Sequence, residues 1–166
     1  TPTQSSAIYE NSFSLKNSDL ISENNSIYFS NNKNEFFALD ERTGIIKWKQ
    51  TLNSNLRPTY ADGLVFTVTL EGYLVVIDSR NGNIVRMTNI FKQIKKYKKN
   101  NIKPEGFIVA RDEIYLSLNN GKLIIIDIKT GKSKNILKID NGKISRPYVL
   151  NDNMYIVRDN SIIRLN

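Results

Sequence analysis

Three aspartates occupy equivalent places in a repeated pattern, and their carboxylates are the first candidates for catalysis or metal binding. Each one ends an apolar run and is followed four residues later by a glycine: Asp40 and Gly44, Asp78 and Gly82, Asp127 and Gly131. Carboxylates at regular intervals could act as general acids or bind calcium, but the D-x-D-x-D spacing of calcium loops is absent. An Asp carboxylate can also accept backbone N–H groups two or three residues on, and glycine supplies a positive φ. The pattern therefore predicts turn caps and turn glycines rather than catalytic acids.

The sequence contains no cysteine and no histidine. Disulfides, thiolate nucleophiles and cysteine-ligated metal centres are therefore excluded. The commonest general base and the commonest metal ligand are missing as well. We therefore do not expect a hydrolase triad or a transition-metal enzyme.

The elements that position these aspartates recur along the chain. The segments are "FFALDERTGIIKW" (36–48), "LVVIDSRNGNIV" (74–85), "LIIIDIKTGKSK" (123–134) and a final "IIRLN" that stops where the next aspartate would stand. A period of roughly 40 residues indicates a repeat architecture with four short strands per unit. Turn dipeptides such as Asp62-Gly63 and Asn120-Gly121 separate runs rich in Val, Ile, Leu, Tyr and Phe, which favours hairpins.

We predict an all-β fold, a single β-propeller domain over residues 1–166 built of about four blades of four antiparallel strands. The repeats are placed at roughly 20–52, 56–90, 104–139 and 144–166. The segment "NIFKQIKKYKKN" is the only stretch that favours a helical turn. A fold of this kind binds partners through its loops and at the ends of its central channel.

The net charge of +8 allows two interpretations. It could indicate an acidic partner such as an acidic protein surface, anionic lipid or nucleic acid. It could also reflect the over-use of Lys, Asn and Ile along the whole chain, spread over surface positions. No apolar run reaches the ~20 residues of a transmembrane helix, and the N-terminus lacks the layout of a signal peptide. We expect a cytoplasmic protein or a mature, trimmed chain.

The segments "GLVFTVTLEGYLVVIDSRNG" and "FFALDERTGIIKW" resemble the repeat of PQQ-like, quinoprotein-type β-propellers. That family contains quinone-dependent dehydrogenases and non-enzymatic scaffolds of the BamB-like type, which act in outer-membrane β-barrel assembly. The dehydrogenases need a calcium site, a catalytic Asp, an aromatic platform and often a vicinal disulfide, and none of these can be assigned here. Trp48 matches the blade-docking position of the repeat, while the other copies hold Arg86 and Asn135 there. The resemblance therefore implies a scaffold with no catalytic residues, no cofactor and no metal.

The resemblance leaves closure of the ring open. BamB-like proteins have eight blades, whereas this sequence has material for about four. It could be the C-terminal portion of a larger propeller with open blade edges, which would favour self-association. Alternatively, residues 7–15 could supply the closing strand of a compact four-bladed ring.

Two sets of basic residues are candidate partner contacts. Arg57-Pro58 and Arg146-Pro147 occupy the same place in their repeats, and Lys103-Pro104 is a looser third equivalent. Cations at equivalent loop positions would form a rim on one face of a propeller, although each proline could simply start a strand. The second set is the lysine tract that includes Lys95, Lys96 and Lys98, which could contact a membrane surface or simply be a solvated loop. Nucleic-acid binding would need several aromatic side chains for base stacking, and that tract contains one tyrosine. We therefore do not expect nucleic-acid binding.

Two functions remain. The first is a non-catalytic BamB-like scaffold, periplasmic and associated with the outer membrane, that binds the barrel-assembly platform or another acidic protein surface. The second is part of a PQQ-dependent dehydrogenase whose catalytic residues lie outside this sequence.

Overall fold

The computed structural model describes residues 17–31, 33–93 and 102–165. Fifteen strands in chain order form four antiparallel sheets among these residues. Blade 1 contains β1 (Ile21–Glu23), β2 (Ser26–Ser30), β3 (Glu35–Asp40) and β4 (Ile46–Thr51). Blade 2 contains β5 (Thr59–Ala61), β6 (Leu64–Val68), β7 (Tyr73–Asp78) and β8 (Ile84–Asn89). Blade 3 contains β9 (Pro104–Ala110), β10 (Glu113–Leu118), β11 (Lys122–Asp127) and β12 (Ser133–Lys138). Blade 4 contains β13 (Tyr148–Leu150), β14 (Asn153–Arg158) and β15 (Ser161–Leu165).

Each sheet is a simple meander in which consecutive strands are hydrogen-bonded neighbours. The all-β prediction is confirmed, with the difference that blade 4 has three strands among the described residues. A short 3-10 helix, Ile90–Gln93, follows β8 where the sequence favoured a helical turn. The proposed closing strand, residues 7–15, lies outside the described residues.

The core lies between successive blades. Tyr28, Ala38 and Trp48 of blade 1 pack against Val65 and Val75 of blade 2, together with other buried residues. A larger cluster joins blades 2 and 3, and a smaller one joins blades 3 and 4. Side chains alternate between the two faces of a strand, so each middle blade has an apolar face for each neighbour.

Candidate functional site

The strand registers identify one equivalent position in each blade. The first aromatic residue of the second strand pairs with the first strand in every blade: Tyr28 with Ile21, Phe66 with Thr59, Tyr115 with Ile108, and Tyr155 with Tyr148. The residues two positions before these first-strand partners are Asp19, Arg57, Gly106 and Arg146. These four residues are far apart in the sequence, but the fold gives them equivalent positions in the four blades.

These four positions line a single cavity of about 230 Å³, which we call the axial cavity. Its remaining lining residues are Asn17, Asn55, Leu56, Glu105 and Tyr148. All four blades contribute through the segment that enters or forms their first strand. Arg57 and Arg146, predicted from the sequence as part of a cationic rim, are brought together here.

The two arginines are close enough to affect each other. Burial and the charge of Arg57 both lower the pKa of Arg146, while Tyr148 and Asp19 act in the opposite direction. The Nε of Arg146 donates a hydrogen bond to the carbonyl oxygen of Phe107 at 2.8 Å, which fixes the half-buried side chain. Arg57 is exposed. A guanidinium group carries a fixed positive charge, so the two arginines concentrate positive charge at the axial cavity.

The acidic residues of the axial cavity do not form ion pairs with these arginines. The Glu105 carboxylate is 2.6 Å from the Nζ of Lys143, and no ion pair among residues 17–31, 33–93 and 102–165 includes Arg57 or Arg146. The guanidinium groups are thus available to a carboxylate from outside, which Arg binds through parallel N–H donors.

Gly106 explains why blade 3 has no cation at this position. A Cβ on Gly106 would lie 2.5 Å from the Cβ of Arg146, closer than two carbons can approach. The glycine therefore leaves room for the arginine of the next blade. Sequence analysis aligned the repeats on their prolines rather than on strand pairing. That alignment did not place Gly106 at the position of the two arginines.

Lys103 lies outside this set. The register of β9 and β10 pairs Gly106 with Ser117, so the alignment of Lys103 with the two arginines was wrong by three residues. Lys103 is exposed, and its backbone N–H and C=O pair with the side chain and backbone of Asn119. Its contact with a partner stays a prediction. Lys95, Lys96 and Lys98 lie outside the described residues.

The repeat aspartates lie in turns that do not line the axial cavity. The Asp40 Oδ1 accepts the backbone N–H and the hydroxyl of Thr43 at 2.9 and 2.8 Å, and Asp127 binds Thr130 in the same way. The Asp78 Oδ1 instead accepts the backbone N–H of Arg80, whose guanidinium also binds the carboxylate. The N–H groups of Gly44, Gly82 and Gly131, each with φ near +70 to +77°, donate to the carbonyls of their aspartates. Each carboxylate is thus occupied by its own turn.

These contacts give a pH dependence of stability. Hydrogen bonds from Thr43 lower the pKa of Asp40 from 3.8 to about 2, and those from Arg80 lower the pKa of Asp78 to about 2. Because the folded pKa is the lower one, the stabilisation is complete above the unfolded pKa and is lost as pH falls through the folded pKa. We expect the melting temperature to fall between pH 4 and pH 2. The double substitution Asp40→Asn and Asp78→Asn should flatten this fall in thermal denaturation series. An unchanged slope would contradict the assignment.

Trp48 anchors the junction between blades 1 and 2. Its side chain is 8% exposed, its ring stacks on Phe36 at 6.1 Å, and its Nε1 donates to the carbonyl oxygen of Ser79 at 2.8 Å. A Cβ on Gly82 would meet the indole at 2.7 Å, so the turn glycine of blade 2 also makes room for the tryptophan.

The equivalent position changes from junction to junction. Arg86 of blade 2 donates to the carbonyl oxygens of Ile128 and Lys129 in the turn of blade 3, so a guanidinium replaces the indole. Asn135 of blade 3 is exposed, and its Oδ1 accepts a hydrogen bond from the neighbouring backbone N–H of Ile136. A cleft of about 700 Å³ separates blades 3 and 4. The loss of a docking side chain at Asn135 coincides with this loosely packed junction.

A quinone cofactor with its calcium ion does not fit the described residues. Calcium takes six to eight oxygen ligands, largely from clustered carboxylates and carbonyls. No group of three or more acidic side chains able to hold a metal occurs in the described part of the chain. The aspartates that repeat regularly are held apart in separate turns.

Solved structures share this fold at low sequence identity. BamB from Moraxella catarrhalis superposes with a TM-score of 0.72 at 13% identity, over 89% of this chain and 41% of that one. The computationally designed Ika4 protein matches with a TM-score of 0.69 at 11% identity, over 88% of each chain. A europium-containing methanol dehydrogenase matches with a TM-score of 0.57 at 18% identity, over 70% of this chain and 23% of that one. No curated protein sequence matches the chain significantly.

The fold is that of a partial PQQ-like β-propeller with four blades, as the sequence predicted. A family model described as outer membrane protein assembly factor BamB matches residues 1–88, more than half of the chain, and the protein belongs to this family. The chain spans less than half the length of the BamB structure that it matches. Within the described residues, no helix is long and apolar enough to cross a membrane.

Proposed function

We propose that this protein is a non-catalytic propeller scaffold that binds an acidic protein surface during assembly of outer-membrane β-barrel proteins. Membership of the BamB family supports the process, and it supports a periplasmic location at the outer membrane. The observation that carries the binding mode is the convergence of Arg57 and Arg146 on the axial cavity without an ion pair among the described residues.

The chemistry of the axial cavity favours a carboxylate donated by a partner. Two guanidinium groups from equivalent positions face one opening, and one of them is already held by the Phe107 carbonyl. A prepositioned guanidinium loses less side-chain entropy on binding than a free one. An Asp or Glu side chain at the tip of a partner loop fits a cavity of about 230 Å³, whereas a whole domain would rest on the surrounding rim.

The test is calorimetric titration of the chain against the periplasmic repeat domains of the barrel-assembly platform. Arg57→Ala and Arg146→Ala should each weaken binding about 30-fold or more, since truncating one partner of a charged, hydrogen-bonded contact costs about 2 kcal/mol or more. The affinity should also fall as salt is raised. Lys103→Ala tests whether binding depends on the axial cavity or on the wider cationic rim. Lys103 is suited to this test because it is exposed and lies outside the cavity lining.

Arg42→Ala is the matched control, because Arg42 is an exposed arginine in the turn after β3 that does not line the axial cavity. Equal losses in Arg42→Ala and the two axial variants would point to net charge rather than to this site. Absence of binding by a chain shown to be folded would contradict the proposal.

The likeness to a methanol dehydrogenase supports a second candidate, part of a quinone-dependent dehydrogenase. This candidate predicts that the purified protein, or the protein incubated with the quinone and Ca²⁺, shows the absorbance of a bound quinone. The lack of fit between the described acidic residues and a calcium site favours the scaffold.

A further inference from the structure

Each pair of successive blades buries the same repeat positions. Tyr28 of blade 1 packs against Val65 and Val75 of blade 2, and Phe66 of blade 2 packs against Ile114 and Ile124 of blade 3. By strand register, Val65 is equivalent to Ile114 and Val75 to Ile124. The face that each blade turns toward the next blade in chain order, its forward face, therefore carries an aromatic residue. The opposite, backward faces of blades 2 and 3 carry aliphatic residues at these contacts.

Blade 4 has a forward face with no neighbour among the described blades. Tyr155 is the residue equivalent to Tyr28, and Tyr148, Val157 and Ile162 share its face by register. Tyr148, Val157 and Ile162 are exposed, Ile162 by 71%. Large side chains of this kind are buried at the junction between blades 1 and 2, so this face resembles one half of a sheet-to-sheet contact.

Blade 1 has the complementary backward face. Ile27 and Phe37 are equivalent to Val65 and Val75, and Leu39 and Phe29 lie on the same face. These four side chains are only half-buried, whereas Val65 and Val75 are fully buried. The rings of Phe29 and Phe37 stack at 5.4 Å, so the face is preformed. None of the three hydrophobic clusters of the described residues joins blade 1 to blade 4.

We propose that these two faces bind a second copy of this chain, with blade 4 of each copy packed on blade 1 of the other. The contact would repeat the blade-to-blade packing already present within the chain. Two such contacts related by a two-fold axis close a ring of eight blades, and closure leaves no free face for further growth.

The test is the molar mass of the 166-residue chain by sedimentation velocity over a range of concentrations. The parent chain should sediment as a dimer of twice 19.1 kDa. Ile162→Asp places a carboxylate on the forward face of blade 4 and should raise the dimer dissociation constant about 100-fold or more. Ile45→Asp is the matched control, since Ile45 is an isoleucine of similar exposure, 68%, in a turn outside both faces, and it should leave the dimer intact.

A variant of the opposite face decides which surfaces meet. Phe37→Asp on blade 1 should disrupt the dimer as Ile162→Asp does, whereas a contact between two copies of blade 4 would survive it. If Phe37→Asp is unfolded by circular dichroism, Ser22→Arg serves instead, because Ser22 is exposed and pairs with Ile27 on the same face. A mixture of the Ile162→Asp and Phe37→Asp chains should regain association through one intact contact. A monomeric parent chain, open-ended polymers, or a dimer unaffected by Ile162→Asp would overturn the proposal.

Discussion

Trp48→Ala is expected to lower the free energy of unfolding by about 3–5 kcal/mol, the range for removing a buried aromatic side chain. The indole fills the space between blades 1 and 2, stacks on Phe36 and satisfies the carbonyl oxygen of Ser79. Its loss leaves a cavity next to Gly82, which has no side chain to fill it. Urea denaturation followed by circular dichroism measures the change. A typical domain is stable by about 5–15 kcal/mol, so this loss would be a large fraction of the total.

The repeat supplies a matched control for this substitution. Asn135→Ala changes the equivalent position of blade 3, where the side chain is exposed and accepts a hydrogen bond from its neighbour Ile136. Its cost should stay within about 0.5 kcal/mol, as for ordinary surface positions. Equal costs at both positions would show that blade docking does not depend on the tryptophan.

Gly121→Ala is expected to be the second severe substitution. Gly121 has a φ of +74°, and a Cβ there would lie 2.2 Å from the carbonyl oxygen of Asp140. That atom belongs to the backbone of the segment joining blades 3 and 4, which also donates two backbone hydrogen bonds to the Gly121 carbonyl. The added methyl would therefore displace the segment or break those hydrogen bonds.

Gly63→Ala separates steric overlap from backbone strain. Gly63 has a nearly identical φ of +77°, but nothing lies within 4 Å of the position that an added methyl group would take. Strain at a positive φ should cost Gly63→Ala about 1 kcal/mol, and overlap should cost Gly121→Ala about 1–3 kcal/mol more. Thermal denaturation of both variants checks the difference. Equal falls in the two melting temperatures would contradict the close packing of the 139–142 segment on the turn at Gly121.

The turns and their hydrogen bonds could be predicted from the sequence because the residues that form each turn lie within a few positions of one another. An aspartate followed by a glycine four residues later contains the acceptor and the positive φ of its own turn, so Asp40 and Gly44 could be placed in a turn without tertiary information. The period of roughly 40 residues indicated blades for the same reason, since each blade is a meander of consecutive strands.

The axial cavity could not be predicted in full because it depends on register between strands. An error of three residues in aligning Lys103 replaced Gly106 with a lysine. Aligning the repeats on the aromatic residue of the second strand, Tyr115 in blade 3, places Gly106 correctly, and the strand register identifies that residue as the reference. The role of Gly106 depends on Arg146, which is distant in the sequence and meets it only across a blade junction. Likewise, the sequence marked Arg86 as a departure from the repeat, but only the structure shows its guanidinium binding the turn of blade 3.

The sequence by itself therefore determined the all-β repeat, its turns and the equivalence of Arg57 and Arg146, because hydrogen bonds within a turn and alternation along a strand are local properties. Tertiary structure decided which equivalent positions face one another, which junctions pack closely and which faces lack a neighbour. Those properties arise from side chains that meet only after the blades have packed, and a shift in register changes which of them meet.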